Sequence, residues 1–202
     1  MTPSKLVFID VDGVLLDYEG PWVEFWRSKG YTVPENFRDR KNYHFSASFP
    51  DMTDKATESL MVDEFGLKGG LRDLKPFPSI DTKAIGAILS HPNVFVLSTF
   101  KEAFRPDRIR SLEMQYDAQF IARKILGAHA QKKGEVMREV AQRLGVPMEN
   151  CYLIDDVGYN IGSAEEYGGK GLLVDHPYNK SETKQRTTHE TLAQDIARLV
   201  FG

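Results

Sequence analysis

The stretch LVFIDVDGVLLD, Leu6 to Asp17, decides how the rest of the 202-residue chain is read. Leu6, Val7, Phe8 and Ile9 are four consecutive apolar residues, the pattern of a strand buried on both faces at the centre of a parallel sheet. Asp10 and Asp12 follow at i, i+2, and then Gly13. Side chains two apart on a strand point to the same side, so two negative charges converge where the chain leaves the sheet. Such a pair is costly without a cation or a proton to share. That points to a metal-assisted site with a nucleophilic carboxylate; the alternative is an Asx-rich turn that merely ends a strand.

A chain of this length with 41% hydrophobic residues can bury one full core and still carry an insert. Its net charge of −3 argues against a protein whose main task is to coat nucleic acid, and no stable nucleic-acid partner is expected. A small phosphorylated substrate, possible nucleotides included, fits that charge. Cys151 is the single cysteine, so no disulfide forms within the chain, and its place in an apolar run reads as core. No apolar run approaches the roughly eighteen residues that span a bilayer, and no signal-peptide pattern is present. A cytoplasmic protein is the expectation.

Just beyond Asp17, Tyr18, Trp22, Phe25 and Trp26 recur at helical spacing, with Pro21 suited to the first turn and Gly30 to the end. Residues 31–50 are polar and aromatic without a period, and predict no element. A second helix is expected from Thr53, with Leu60, Met61 and Phe65 on its apolar side, closing at Gly66. Gly69, Gly70 and the run Lys75-Pro76-Phe77-Pro78 mark the return to the core. The expected division is a core of residues 1–17 and 77–202 and a small helical cap of residues 18–76.

From Ser79 onward helix and strand patterns alternate, the sign of a doubly wound, mostly parallel α/β sheet. A helix over residues 80–90 leads to a strand from Val94 to Leu97, with Ser98 and Thr99 at its carboxyl end. Next come a helix from Asp107 to Tyr116 and a weaker strand from Phe120 to Leu126, placed toward an edge by Arg123 and Lys124. Val136, Met137, Val140, Ala141 and Leu144 share one face of an amphipathic helix that ends at Gly145. The strand Cys151 to Ile154 runs into Asp155 and Asp156. A short helix to Tyr167, a strand from Gly171 to Val174, a polar loop through Thr187 and a terminal helix with Leu192, Ile196 and Leu199 complete the reading.

Ligands of open α/β sheets sit outside the carboxyl ends of the strands. There the chain places Asp10, Asp12, Asp155 and Asp156, oxygen donors for a hard cation such as Mg²⁺. Ser98, Thr99 and the Lys132-Lys133 pair would hold a phosphoryl group against it. Each has a plainer reading, as strand-end hydroxyls, solvated lysines or a helix cap at Asp155-Asp156. Those readings weaken because all fall at one edge of one sheet.

In order along the chain, FIDVDGV, VFVLST, a lysine before a helix and YLIDD resemble the four motifs of the haloacid dehalogenase (HAD) superfamily of phosphohydrolases. The resemblance implies a Rossmann-like sheet with a cap inserted after the first motif, and Mg²⁺ as cofactor. It makes Asp10 the nucleophile that forms an aspartyl-phosphate, and Asp12 the general acid and then base. Ser98 binds phosphoryl oxygens; Lys133 is preferred to Lys132 as the neutralising lysine, because it directly precedes the glycine of KKGEVMREVAQRLGV. Asp156, Asp10 and the Asp12 carbonyl become metal ligands, Asp155 acts through water or a neighbour, and Asn160 stands where the family often has another acid.

Within the superfamily, DVDGVLLDYEG, LKPFPSI, AQFIARKIL and LLVDHPYN resemble the 5′(3′)-deoxyribonucleotidases. In that family the aromatic matching Tyr18 lies against the nucleobase, which makes Tyr18 a candidate substrate contact; cap core is its other reading. A full helix from about Glu135 to Leu144 departs from the shorter animal enzymes. Two alternatives use other residues: a non-catalytic binding module presenting Phe37 to Phe49, and a nucleic-acid end phosphatase with a basic edge of Lys101, Arg105, Arg108 and Arg110. For those four cations a solvated helix face is the plainer reading.

Overall fold

Residue alternation in β1 (Leu6–Ile9) builds two cores at once. Leu6 and Phe8 join a cluster with Val136, Met137, Val140 and Ile161, while Val7 and Ile9 join another with Ile85, Leu112, Leu192 and Ile196. A strand covered on both faces must be apolar throughout, and all four residues are buried. The computed structural model describes residues 4–49, 51, 55–118, 121–129 and 131–202.

After β1 come β2 (Leu16–Asp17), α1 (Glu19–Ser28), single 3₁₀ turns at Phe37–Asp39 and Phe45–Ala47, α2 (Lys55–Leu67) and β3 (Lys75–Pro76). β2 and β3 pair antiparallel, Leu16 with Pro76 and Asp17 with Lys75, so the chain between them leaves and returns through one ribbon. The chain continues through α3 (Thr82–Ser90), β4 (Val94–Ser98), α4 (Arg105–Tyr116), β5 (Ile125–Gly127) and α5 (Lys133–Leu144). It ends with β6 (Cys151–Asp155), α6 (Gly158–Glu166), β7 (Lys170–Val174), β8 (Arg186–Thr187) and α7 (Leu192–Phe201).

Six strands form one parallel sheet in the order β5-β4-β1-β6-β7-β8. The chain moves outward from β1 through β4 to β5, then crosses back to β6, so β1 lies at the switch point where such sheets bind ligands. Register does the fine placement: Ile9 lies level with Ile154, which brings Asp10 beside Asp155. The expected doubly wound α/β fold is the observed one.

Helix boundaries follow local chemistry. The Asp81 carboxylate accepts from the Ala84 N–H at 3.0 Å and caps α3. Gly145, in the left-handed region at φ 69°, stops α5 while the Val146 N–H bonds back to the Ala141 carbonyl. Several expectations need correction. Leu60 is 70% exposed, because Met61 and Phe65, one turn apart, set the buried face of α2 and leave Leu60 beside it. Thr53 and Phe120, the expected starts of a helix and a strand, lie outside the described residues; within the latter segment residues 121–123 form a 3₁₀ turn and only Ile125–Gly127 pairs, at the sheet edge. The polar loop through Thr187 contains β8, too short to show a period. Among the described residues no helix is long and apolar enough to cross a membrane.

Candidate active site

The residue after β1 and the last residue of β6 meet the first residue of α5, a lysine. Lys133, 2% exposed, has its Nζ 2.8 Å from Asp10 Oδ2 and 2.6 Å from Asp155 Oδ2. Asp10 Oδ1 accepts from the Val11 N–H at 2.7 Å. Asp155 Oδ1 accepts from the Val157 N–H at 2.9 Å and from Asn160 Nδ2 at 3.0 Å. Asp156 Oδ2 accepts from the Tyr178 hydroxyl. Lys132 faces outward and pairs with Glu166 at 2.9 Å.

Oxygen atoms of Asp10, Asp155 and Asp156 all lie within 4.8 Å of one another, and all three residues are buried. Burial raises the Asp155 and Asp156 carboxyls above the carboxylate range, and the charges of Asp155 and Asp10 lift Asp156 further. Burial alone would lower the Lys133 ammonium, but Asp10 and Asp155 outweigh it and hold it above the ordinary lysine value. One ammonium among three carboxylates leaves negative charge uncompensated. Converging hard oxygens with such an excess fit a hard metal ion.

Gly13 makes room for this cluster. At φ +76° it takes a conformation that side chains resist, and a Cβ there would fall 2.4 Å from Asp156 Oδ2. Its carbonyl accepts from His176 Nε2 at 2.6 Å and His189 Nε2 at 3.0 Å. A carbonyl only accepts, so both rings carry their proton on Nε2. Burial lowers His176 to about 4 and also lowers His189, which leaves both neutral near pH 7. Asn179 closes the arrangement, its Nδ2 reaching the carbonyls of Asp156 and Val174, each at 2.8 Å.

Asp12 lies outside the trio of Asp10, Asp155 and Asp156 and pairs with Arg108 instead. Arg108 Nη1 donates to its Oδ1 at 2.7 Å and Nη2 to its Oδ2. Burial raises the Asp12 carboxyl, while Arg108 pulls it back down. Beside this pair opens a cavity of about 270 Å³, lined by Asp12, Thr99, Arg108 and Asp156 among others. The chain between β2 and β3 supplies Tyr18, Arg40, Tyr43 and Phe45 to its walls. The Arg40 guanidinium lies 4.3 Å from the Phe45 ring centre and 4.7 Å from that of Tyr178, and pairs with Glu19. Phe45 stacks on Trp22 at 4.2 Å, and Glu58 accepts from the Phe45 and Ser46 N–H groups at 3.3 Å. Tyr18 packs edge-on to Phe65, its hydroxyl buried without a hydrogen-bond partner among the described residues.

Asp10, Asp155, Asp156 and Lys133 are thus brought together, with Asp12 on the cavity side. Ser98 ends β4 as a buried residue, and Thr99 is exposed at the rim. The expected basic edge does not form around Arg108, which is 3% exposed; Lys101 pairs with Asp63 and Arg105 with Glu102. Arg108, Leu112 and Tyr116 fall at i, i+4, i+8 on the buried stripe of α4, a periodicity that marks Arg108 as inward-facing. His176 and Tyr178 stood in a quoted motif without a role, and Arg40 in a segment with no readable pattern.

A doubly wound α/β protein with an acid-lysine cluster at its switch point is the class that fold and site define. Residues 4–168 match the family model of haloacid dehalogenase-like hydrolases, and the chain belongs to that family. It is 27% identical to a Bordetella bronchiseptica protein described as "Putative 5′(3′)-deoxyribonucleotidase", over 96% of this chain and 98% of the other. A Bordetella pertussis protein of the same description is 24% identical with the same coverage. Among solved structures, a HAD family hydrolase from Deinococcus radiodurans R1 with bound phosphate and sodium superposes with a TM-score of 0.65 at 18% identity, covering 98% of this chain and 97% of that one. A haloacid dehalogenase-like protein from Streptococcus pneumoniae gives 0.64 at 16%, covering 98% and 99%. At such identities these two speak for the fold.

Proposed function

We propose that the protein is a Mg²⁺-dependent phosphomonoesterase that works through an aspartyl-phosphate on Asp10, with a (deoxy)nucleoside monophosphate as its substrate. The observation that carries this reading is Asp10 itself: a buried carboxylate held by a backbone N–H and by Lys133, beside Asp155 and Asp156. Asp10 attacks phosphorus in line and the ester P–O bond breaks, while Asp12 gives its proton to the leaving oxygen. Asp12 then takes a proton from the water that attacks the aspartyl-phosphate, so that inorganic phosphate leaves and Asp10 is restored. Asp10, Asp156 and the Asp12 carbonyl would hold Mg²⁺, with Asp155 acting through water; when bound, it would supply charge neutralisation for the phosphoryl group. Ser98, Thr99 and Lys133 hold the phosphoryl oxygens.

In this reading residues 18–76 are a cap over a core of residues 1–17 and 77–202, and Tyr18 offers its ring to the base. The nucleotide substrate is supported by the full-length likeness to proteins described as deoxyribonucleotidases and by the aromatic walls of the cavity. Phosphate release from p-nitrophenyl phosphate is expected with Mg²⁺ and is abolished by EDTA or by Asp10→Asn; activity surviving both overturns the mechanism. On a substrate panel, deoxynucleoside monophosphates should exceed sugar phosphates in kcat/KM, and the reverse order removes the nucleotide assignment.

A further inference from the structure

Asp12 differs from the other carboxylates at the sheet edge. Asp10, Asp155 and Asp156 converge, and each has partners inside the cluster or on its wall. Asp12 is held instead by both terminal nitrogens of Arg108, a side chain 3% exposed that joins it in the cavity lining. We propose that Arg108 is a positioning residue, which aims the Asp12 carboxylate at the leaving-group side of the cavity and keeps it from becoming one more ligand of the acidic cluster. This rests on the phosphomonoesterase reading and adds a residue to it.

Three features make Arg108 suited to aiming a carboxylate. A planar guanidinium bound through two parallel N–H···O bonds fixes the orientation of its partner, which a single ammonium contact does not. Both terminal nitrogens of Arg108 go to Asp12, and its buried Nε has no hydrogen-bond partner among the described residues, so no other hydrogen bond competes for the fork. Its helix is also held in place: the Ser111 hydroxyl donates to the Leu71 carbonyl and the Tyr116 hydroxyl to the Leu15 carbonyl, and Arg72 reaches Asp107 at 2.9 Å. Leu15 lies in the turn that carries Asp12. The carboxylate and the guanidinium that holds it are therefore fixed in one frame. Without the fork, the Asp12 side chain would still sit beside three carboxylates and a lysine, and would be free to swing toward a bound cation.

Leaving-group dependence tests the idea, because a structural role lowers activity on every ester alike. kcat/KM, which covers steps through phosphorylation of Asp10, is measured with Mg²⁺ for the wild type, Arg108→Gln, Arg108→Lys and Asp12→Asn. One substrate is p-nitrophenyl phosphate, whose leaving group departs without a proton. The other is the alkyl monophosphate that the wild type hydrolyses best, whose leaving oxygen needs one. Arg108→Gln and Asp12→Asn should both lose roughly 10²-fold or more on the alkyl ester and less than about fivefold on the aryl ester. Arg108→Lys should recover part of the alkyl activity. Equal losses on both esters, or none, in the Arg108 variants overturn the proposal even where Asp12→Asn shows the selective loss. A wild type that hydrolyses neither ester overturns the phosphomonoesterase reading, and this proposal with it.

Discussion

The carboxyl edge of the sheet and the wall that the chain between β2 and β3 builds over it are both charged, and they are made in opposite ways. At the edge, Asp10, Asp155 and Lys133 come from two strand ends and a helix start, and all are almost fully buried. Their spacing is set by strand register; a one-residue slip would exchange the two buried faces of β1 and force both cores to repack. In the wall, Arg40, Tyr43 and Phe45 come from irregular chain with single 3₁₀ turns, held by stacking on Trp22 and by the Glu58 carboxylate. Under the proposed function the difference has a reason: groups that carry out chemistry tolerate little displacement and suit regular elements, whereas groups that touch a variable ligand suit segments that can change without disturbing the sheet.

The sharpest way to break this contrast is Asp10→Asn. Phosphate release should fall by at least about 10³-fold while the circular dichroism spectrum is kept; retained turnover would move the chemistry away from the edge. Lys133→Met comes next, since it leaves Asp10 and Asp155 buried without their ammonium. Urea unfolding should show a loss of about 3–5 kcal/mol, relieved in part by Mg²⁺.

The His176 ring adds a pH signature. Its pKa is about 4 in the folded protein against 6.5 unfolded, so between those values the unfolded chain binds a proton that the native ring refuses. This contribution leaves stability intact above pH 6.5 and lowers it as pH falls toward 4, by on the order of 3 kcal/mol. His176→Asn should flatten that part of the wild-type stability profile, and an unchanged slope would count against the neutral ring. The smallest effect belongs to the cavity wall: Tyr18→Ala should raise KM for a nucleotide roughly 5- to 150-fold, the equivalent of about 1–3 kcal/mol of lost stacking, with kcat changed less. A fall in kcat with KM unchanged would place Tyr18 with the chemistry instead.

Much of the core was legible because its signals are local. Runs of apolar residues, the helical period of α5 and carboxylates directly after strands all lie within a few residues of the feature they report. Leu60 shows the limit of that approach, since a plausible apolar position on α2 faces solvent once Met61 and Phe65 choose the buried side. β8 and the two 3₁₀ turns were too short to leave a period.

By itself, the sequence determined the strand that centres the sheet and the aspartates and lysine near its carboxyl edge. Each follows from composition and period over short spans. Only the tertiary structure decided what those groups face. Arg108 meets Asp12 across 96 residues of chain, and His176 meets the Gly13 carbonyl across 163. Neither contact has a local signature, because it exists only once the helices have packed on both faces of the sheet and brought distant side chains to one edge.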